Sequence, residues 1–307
     1  MTAYTDGTVP FLVDGEELKT YYRIYGSISD DNLPPLIAVH GGPGLVGYYL
    51  SPLSKLVDRN GRQPVIIYDQ AGNGRSSHFP DKGPEFITIK LFVDELENLI
   101  AKLGIKEYHI LGHSFGGCLG AEFEAERHPP GLKSLILSNS LADMKLFAQS
   151  EAERLATFDN ADELGAAFAK GMEDPKAFRA ALDTFNGRWA SRYFTERPLP
   201  EDIDPFLWWF GDEEKGIEGD YTVSGKMVED KTWTILGRIH QIRVPVFLIT
   251  ATNDFVQSYT AEPFFWGLKK TKWINLEHSS HLPFWEEPEN YMNLVGKWLE
   301  HGASELS

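Results

Sequence analysis

Cysteine is almost missing from this chain of 307 residues, with Cys118 the single example. One thiol excludes an intrachain disulfide and any cysteine-based metal cluster. No stretch reaches the roughly 20 apolar residues that a membrane-spanning helix requires. The opening "MTAYTDGTVPFLVDGEELK" carries acids and no long apolar run, so it does not read as a secretory signal. Asn-x-Ser/Thr sequons are absent as well. The location these absences lead one to expect is a reducing cytoplasm. Positive charge is also in short supply: 29 Lys and Arg face 45 Asp and Glu, a formal net charge of -16. That balance favours solubility and disfavours nucleic acid or an anionic membrane as a partner. Oligomeric state is not legible at this level.

What is present is ordinary for a globular protein, at 42% hydrophobic and 24% charged residues. The length suits one large α/β domain, or one domain with an insertion. The start reads as a hairpin, "TVPFLV", the turn pair Asp14-Gly15, then "ELKTYYRIYG". Four short β-branched runs follow, "PLIAVH", "PVIIYD", "YHILG" and "KSLILSNS". Helical periodicity falls between them, over Thr88 to Leu103 and over Phe115 to Arg127. Strands alternating with helices at this spacing predict βαβ crossovers and a mostly parallel sheet flanked by helices.

The alternation stops after Ser140. Residues 141–240 become helical, charged and aromatic, and strand character returns at "VPVFLIT" and "KWINL" before a last helix from Pro288 to about His301. This pattern predicts a core of residues 1–140 and 241–307 with a helical lid, 141–240, inserted into it.

Within "HILGHSFGGCLG" an apolar strand halts at a serine flanked by glycines, Gly112-His113-Ser114-Phe115-Gly116. A packed core has no need of that arrangement. A serine on a sharp strand-to-helix turn does, because side chains at the glycine positions would strike the backbone there. The turn exposes the hydroxyl above the sheet, and the helix N-terminus adds amide donors near a developing oxyanion. The plain alternative is a glycine-rich turn with an incidental serine.

A hydroxyl attacks near neutral pH only with a base and an acid that orients the base. "VPVFLITATND" runs out at Asp254, and "EHSSHLPFWEEPE" places His281 in the loop after the next strand. The chain order Ser, Asp, His suits a sheet of this topology. His278 is the rival base, and a helix-capping role is the rival reading of Asp254. "HGGPG", His40 to Gly44, follows the strand "LIAV". Its glycines let a bare amide approach the reacting centre, which makes the N–H groups of Gly42 and Phe115 the expected oxyanion donors. Taken alone, that loop is a Gly/Pro turn. The chemistry assembled from these residues calls for no metal and no cofactor.

Together "HGGPG", "YDQAGNGRSS", "LGHSFGGCLG", "TND" and "SSHLPFWEEPE" resemble the α/β-hydrolase fold, and within it the proline iminopeptidase branch. "DQAGNGRS" (Asp69 to Ser76) is similar to that branch's D-Q-x-G-x-G-x-S, and "DYTVSGKMVEDKTW" (Asp220 to Trp233) to the segment joining its lid to the core. The resemblance spans about residue 10 to residue 300 and is weakest in the lid. It implies a serine hydrolase acting on a small molecule or short peptide, of aminopeptidase or amidase type. It also implies acidic side chains that hold a substrate's free amine, one in the lid and one directly after the triad Asp. Asp220 matches the first. At the second stands Phe255, and a phenyl ring cannot form a charge-assisted pair with an ammonium, although it offers a weak cation–π face. Glu213, Glu214 and Glu218 are further acids in the lid. Phe206, Trp208, Trp209 and Phe210 cannot all face one side of a helix, and Trp208 and Trp209 are the expected substrate contacts among them. Phe255 favours an esterase or lactonase working on substrates without a free amine as the alternative. Ser114 argues against a haloalkane dehalogenase or epoxide hydrolase, which would need Asp at that turn. A non-catalytic small-molecule binder of the same fold is the reading from a different class.

Overall fold

A computed structural model describes residues 2–29, 32–60, 62–195, 204–227 and 232–302. Part of the 141–240 stretch, residues 196–203 and 228–231, lies outside them, and with it part of "DYTVSGKMVEDKTW".

The chain opens with the expected hairpin, β1 (Tyr4–Val13) antiparallel to β2 (Glu16–Tyr25). Asp14 and Gly15 take φ of 49° and 85°, both in the left-handed region that a two-residue hairpin turn demands. Six strands follow: β3 (Leu36–Val39), β4 (Val65–Tyr68), β5 (Tyr108–His113), β6 (Leu132–Ser138), β7 (Val246–Ala251) and β8 (Thr271–Leu276). They form one eight-stranded sheet in the order β1-β2-β4-β3-β5-β6-β7-β8. The hairpin joins β4 antiparallel, and all pairings from β4 to β8 are parallel.

β3, β4, β5 and β7 are buried along their whole lengths. Both faces of the sheet are covered, so these strands read as continuous apolar runs rather than alternating ones. On one face pack α2 (Ile89–Lys102) and α3 (Phe115–Arg127), following the short α1 (Lys55–Asn60) in the chain. The opposite face takes α1 itself and the last helix of the fold. Thr88, immediately before α2, accepts the Leu91 amide at 3.3 Å, a side-chain cap that sets where the helix starts.

Between β6 and β7 the chain builds α4 (Met144–Leu155), α5 (Ala161–Lys170), α6 (Pro175–Trp189), α7 (Leu207–Phe210) and α8 (Thr222–Met227). The two ends of this excursion are tied together, since Met144 N–H bonds to the Trp233 carbonyl at 3.0 Å and Asp143 bridges to Thr234. Asp143 also caps α4, accepting the amides of Lys145 and Leu146 at 2.8 and 3.0 Å. After β7 come α9 (Glu262–Gly267), then α10 (Pro283–Glu286) and α11 (Pro288–His301) beyond β8.

β4 lies on one side of β3 and β5 on the other. Loops leaving the carboxyl ends of β3 and β5 therefore diverge and leave a crevice, the place where open α/β sheets bind ligands. The turn from β5 into α3 passes that crevice with its backbone in contact with other backbone. A methyl group on Gly116 would overlap the Val39 carbonyl, and one on Gly112 would overlap the Gly116 carbonyl.

Gly116→Ala is expected to lower stability by about 1–3 kcal/mol or more, because no backbone atom there can retreat. Gly165, inside α5 with a normal helical backbone and only Leu155 within reach at 3.8 Å, should respond with the opposite sign. Alanine there is expected to gain up to ~1 kcal/mol from helix propensity. Urea melts of the two variants check the pair.

Candidate active site

Ser114 is the residue between β5 and α3, with φ 55° and ψ -126°. A non-glycine residue in this region is strained by about 1–3 kcal/mol and is retained only when its surroundings hold it. Two bonds do so: Ser114 N–H to the Ser138 carbonyl, and Gly117 N–H to the Ser114 carbonyl, both 2.9 Å. Phe115 is the first residue of α3, so its amide has no acceptor within the helix. Ser114, Phe115 and the loop glycines Gly41 and Gly42 all line one cavity of about 490 Å³, which falls within the ordinary size of a small-molecule site.

The glycine loop is pressed against the serine. A methyl on Gly41 would lie 2.7 Å from Ser114 Cβ, and Gly42 has φ 126°. Gly41 N–H donates to Tyr49 Oη at 2.7 Å, so of the two glycine amides, Gly42 is the one not engaged by that hydroxyl. His40, behind the loop, is neutral: burial lowers its pKa. Its Nδ1–H donates to the Gly41 carbonyl at 2.9 Å, and its Nε2 accepts Gln70 N–H at 3.0 Å.

Asp254 and His281 meet as the sequence order led one to expect. His281 Nδ1 lies 2.9 Å from Asp254 Oδ1 and 3.1 Å from Oδ2. Asp254 has no exposed surface, and its oxygens also accept Val256 N–H and Asn139 Nδ2–H, each at 2.8 Å. Those donors hold a carboxylate in place and support its charge. His281 shares the cavity wall with Ser114, and its ring is flanked by His113 and Phe255, with centroids 4.6 and 4.3 Å away. His278 is exposed on the turn after β8 and is neither a partner of Asp254 nor part of the cavity wall.

Three residues of the site carry no role in the sequence reading. Tyr49 Oη donates to His113 Nδ1, and His113 Nε2–H donates to the His281 carbonyl, both at 2.7 Å. A single line of hydrogen bonds therefore runs from the glycine loop through Tyr49 and His113 to the His281 loop. His113 is fully buried, and burial together with the neighbouring His281 holds its pKa well below the usual histidine value. It stays neutral, as its acceptor role towards Tyr49 requires. Asn139, at φ 50° just past β6, links Asp254 to the Ser280 carbonyl at 3.2 Å and accepts Ser138 Oγ–H at 2.9 Å. Asn tolerates that backbone region better than most residues, and its place at a strand's carboxyl end is the signal that could have marked it.

The expected substrate contacts divide. Phe255 and Trp209 line the cavity, and Trp209 Nε1–H donates to the Gly44 carbonyl. Trp208 lines a different groove with Arg23, Arg75 and Lys215. Asp220 is not among the lining residues: its Oδ2 is bonded to His78 Nδ1, and its Oδ1 accepts Thr222 N–H at 2.8 Å. That carboxylate is directed to His78 rather than to the cavity. Glu213, Glu214 and Glu218 also lie off the cavity wall. The carboxylate found there among the described residues is Glu151 of α4.

The His78–Asp220 pair gives a pH signature. The hydrogen bond to Asp220 raises the His78 pKa above 6.5. Burial alone would raise that of Asp220, but its bonds to His78 and Thr222 outweigh burial and bring it from 3.8 to about 2. The histidine's contribution is complete below pH 6.5 and fades as pH rises through its raised value. The aspartate's is complete above pH 3.8 and fades as pH falls towards 2. Asp220→Asn should therefore lower the melting temperature most between about pH 4 and 6.5 and distinctly less at pH 9. Melts of both proteins across pH 4 to 9 test this.

Comparison with known proteins gives one consistent answer. The alpha/beta hydrolase fold family matches residues 34–288. The chain is 32% identical to the proline iminopeptidase of Clostridioides difficile (strain 630), over 96% of its own length and 98% of that protein. It is 32% identical to the proline iminopeptidase of Lactobacillus delbrueckii subsp. bulgaricus, covering 92% and 94%. Among solved structures, VinJ superposes with a TM-score of 0.82 at 32% identity, covering 96% of this chain and 98% of VinJ. The proline iminopeptidase of Mycobacterium smegmatis superposes at 0.76 with 29% identity, covering 97% and 98%.

Proposed function

The chain belongs to the alpha/beta hydrolase family, in its proline iminopeptidase-like branch, and from that premise we propose that it is a serine hydrolase. Its substrate is a small amide, short peptide or ester. The observation that carries this reading is the pairing of an elbow serine at φ 55° with a histidine whose Nδ1 is committed to a buried carboxylate, both on one cavity.

The chemistry follows from the geometry. With its Nδ1–H donated to Asp254, His281 carries its basic lone pair on Nε2. Ser114 Oγ attacks the substrate carbonyl carbon while its proton passes to Nε2. The amides of Gly42 and Phe115 hold the resulting oxyanion. Collapse breaks the carbonyl–leaving-group bond, and the proton on Nε2 goes to the departing amine or alcohol. Water then attacks the acyl-serine, giving up one proton to Nε2, and the acid is released as Ser114 recovers its proton. Asn139 positions Asp254, and the Tyr49–His113 line positions the His281 backbone. The segment between β6 and β7 supplies most of the cavity wall and acts as a lid. Phe255, directly after Asp254, supports a second reading within this mechanism, an esterase or lactonase whose substrates lack a free amine.

Ser114→Ala and His281→Ala should each lower kcat by roughly 10⁴–10⁶ with unchanged far-UV circular dichroism, since these residues act as a unit. His278→Ala should stay within about threefold of wild type, a change well under 1 kcal/mol in the barrier. Steady-state hydrolysis of p-nitrophenyl acetate by the three variants decides. A larger loss in His278→Ala than in His281→Ala would overturn the assignment of His281 as the base.

A further inference from the structure

Through a cavity wall that also holds Leu45, Leu141, Met144, Leu155 and Leu182 runs a series of rings that touch one another in succession, beginning at the imidazole. Phe255 lies 4.3 Å from His281 and 5.8 Å from Phe185, centroid to centroid. Phe185 lies 5.8 Å from Phe168, which is 6.4 Å from Phe178. Phe178 is 5.7 Å from Tyr221, and Tyr221 is 4.9 Å from Trp209. Trp209 is tied to the glycine loop through Gly44, so the chain of rings spans from the base to the oxyanion side of the site. Phe178 and Phe185 are seven apart on α6, two helical turns, which puts both on one face.

Four of these contacts, Phe168–Phe185, Phe168–Phe178, Phe178–Tyr221 and Trp209–Tyr221, have interplanar angles of 87°, 90°, 79° and 78°. Rings set edge-on to their neighbours present both faces and edges to the space they enclose. Such a wall suits a flat ring more than a flexible chain, because aromatic pairs gain from offset and edge-to-face contact beyond the area they bury.

Charge in this wall is sparse. Among the described lining residues there is no Lys or Arg, and the carboxylate is Glu151, itself exposed and on the face of α4 that also turns Met144, Phe147 and Leu155 to the cavity. Asp254 lies beneath His281 with its oxygens already accepting from His281, Asn139 and Val256. An ammonium beside the scissile carbonyl would face the Phe255 ring and lose hydration with Glu151 of α4 as the single carboxylate among the described lining residues, which is costly.

From this we infer the substrate class of the proposed hydrolase: a neutral ester or amide that carries an apolar ring next to the scissile bond, with Phe255 and Phe185 as its specificity-determining contacts. The inference rests on the serine hydrolase reading above.

The test uses this chain and matched small esters at pH 6, where the α-amine of an amino-acid ester is mostly protonated. Methyl phenylacetate and benzyl acetate, each against methyl acetate, place the ring on the acyl side or on the leaving side. Methyl 3-phenylpropanoate against phenylalanine methyl ester adds only the ammonium. At least one ring-bearing ester should exceed methyl acetate by about tenfold or more in kcat/KM, the scale of discrimination an apolar pocket achieves. The deamino ester should exceed its ammonium counterpart by a similar factor. Phe185→Ala should reduce the ring preference severalfold, mainly through KM. Phe255→Leu, which removes the ring but keeps a large apolar side chain, should do the same. Equal rates for methyl acetate and both ring esters, or a tenfold preference for the ammonium ester, overturn the inference. Labelling of Ser114 by a fluorophosphonate separates the two levels of failure. If Ser114 is labelled, such results remove the substrate class alone. If it is not labelled and no ester is cleaved, the hydrolase reading falls and the substrate class with it.

Discussion

Nothing larger than a hydrogen atom fits between the β5–α3 turn and the end of β3. A side chain on Gly116 would strike the Val39 carbonyl, and one on Gly112 would strike Gly116 itself. Because the two backbones meet, the turn is forced through a left-handed residue, and that residue is Ser114. Its strain is held by the Ser138 carbonyl on the neighbouring strand. The same contact brings Gly41 against the serine, so the hydroxyl and the glycine-loop amides arrive together. Ser114 need not be positioned by its own side chain, because the sheet and helix position it.

The other half of the site comes from the far strands of the sheet. β7 ends at the loop that carries Asp254, and β8 ends at the loop that carries His281. These loops must be referenced to the β5 turn, and two hydrogen-bonded lines do this. Asn139 joins the end of β6 to Asp254 and to the Ser280 carbonyl. His113 joins the β5 turn to the His281 carbonyl, with Tyr49 completing the link to Gly41. Protonation of His113 would replace an acceptor with a donor and reverse the Tyr49 bond, leaving the phenol proton without its partner. Burial keeps its pKa well below the usual value, so this line stays intact as pH falls. The same compact frame leaves room on its open side only for what the β6–β7 helices enclose, and those helices supply mainly apolar side chains, with Glu151 the carboxylate among the described lining residues.

The order of elements was legible because its causes are local. Continuous Val/Ile/Leu runs report strands covered on both faces, and the helix over Phe115 to Arg127 follows from a periodicity that begins where the glycines end. The positions of Ser114, Asp254 and His281 at strand ends could be read for the same reason. The contacts that orient them could not. Tyr49 meets His113 across 64 positions of sequence and Asn139 meets Asp254 across 115, and no pattern in a single chain records such a distance. Asp220 shows the converse: a motif resemblance marked it as a substrate contact, yet its carboxylate is bonded to His78, a residue 142 positions away with no motif of its own. The aromatic window was half legible. Its helical spacing required the rings to part company, but only the tertiary fold sends Trp209 to the cavity and Trp208 to another groove.

The central claim is that Ser114 forms a covalent acyl intermediate with His281 as its base. Acid-quenching the enzyme during turnover of a p-nitrophenyl ester, followed by intact-mass and peptide analysis, tests it most directly. One acyl group per chain, located on the peptide bearing Ser114 and absent from Ser114→Ala, is the predicted result. Turnover that persists in Ser114→Ala, or an acyl group found on another residue, would contradict it.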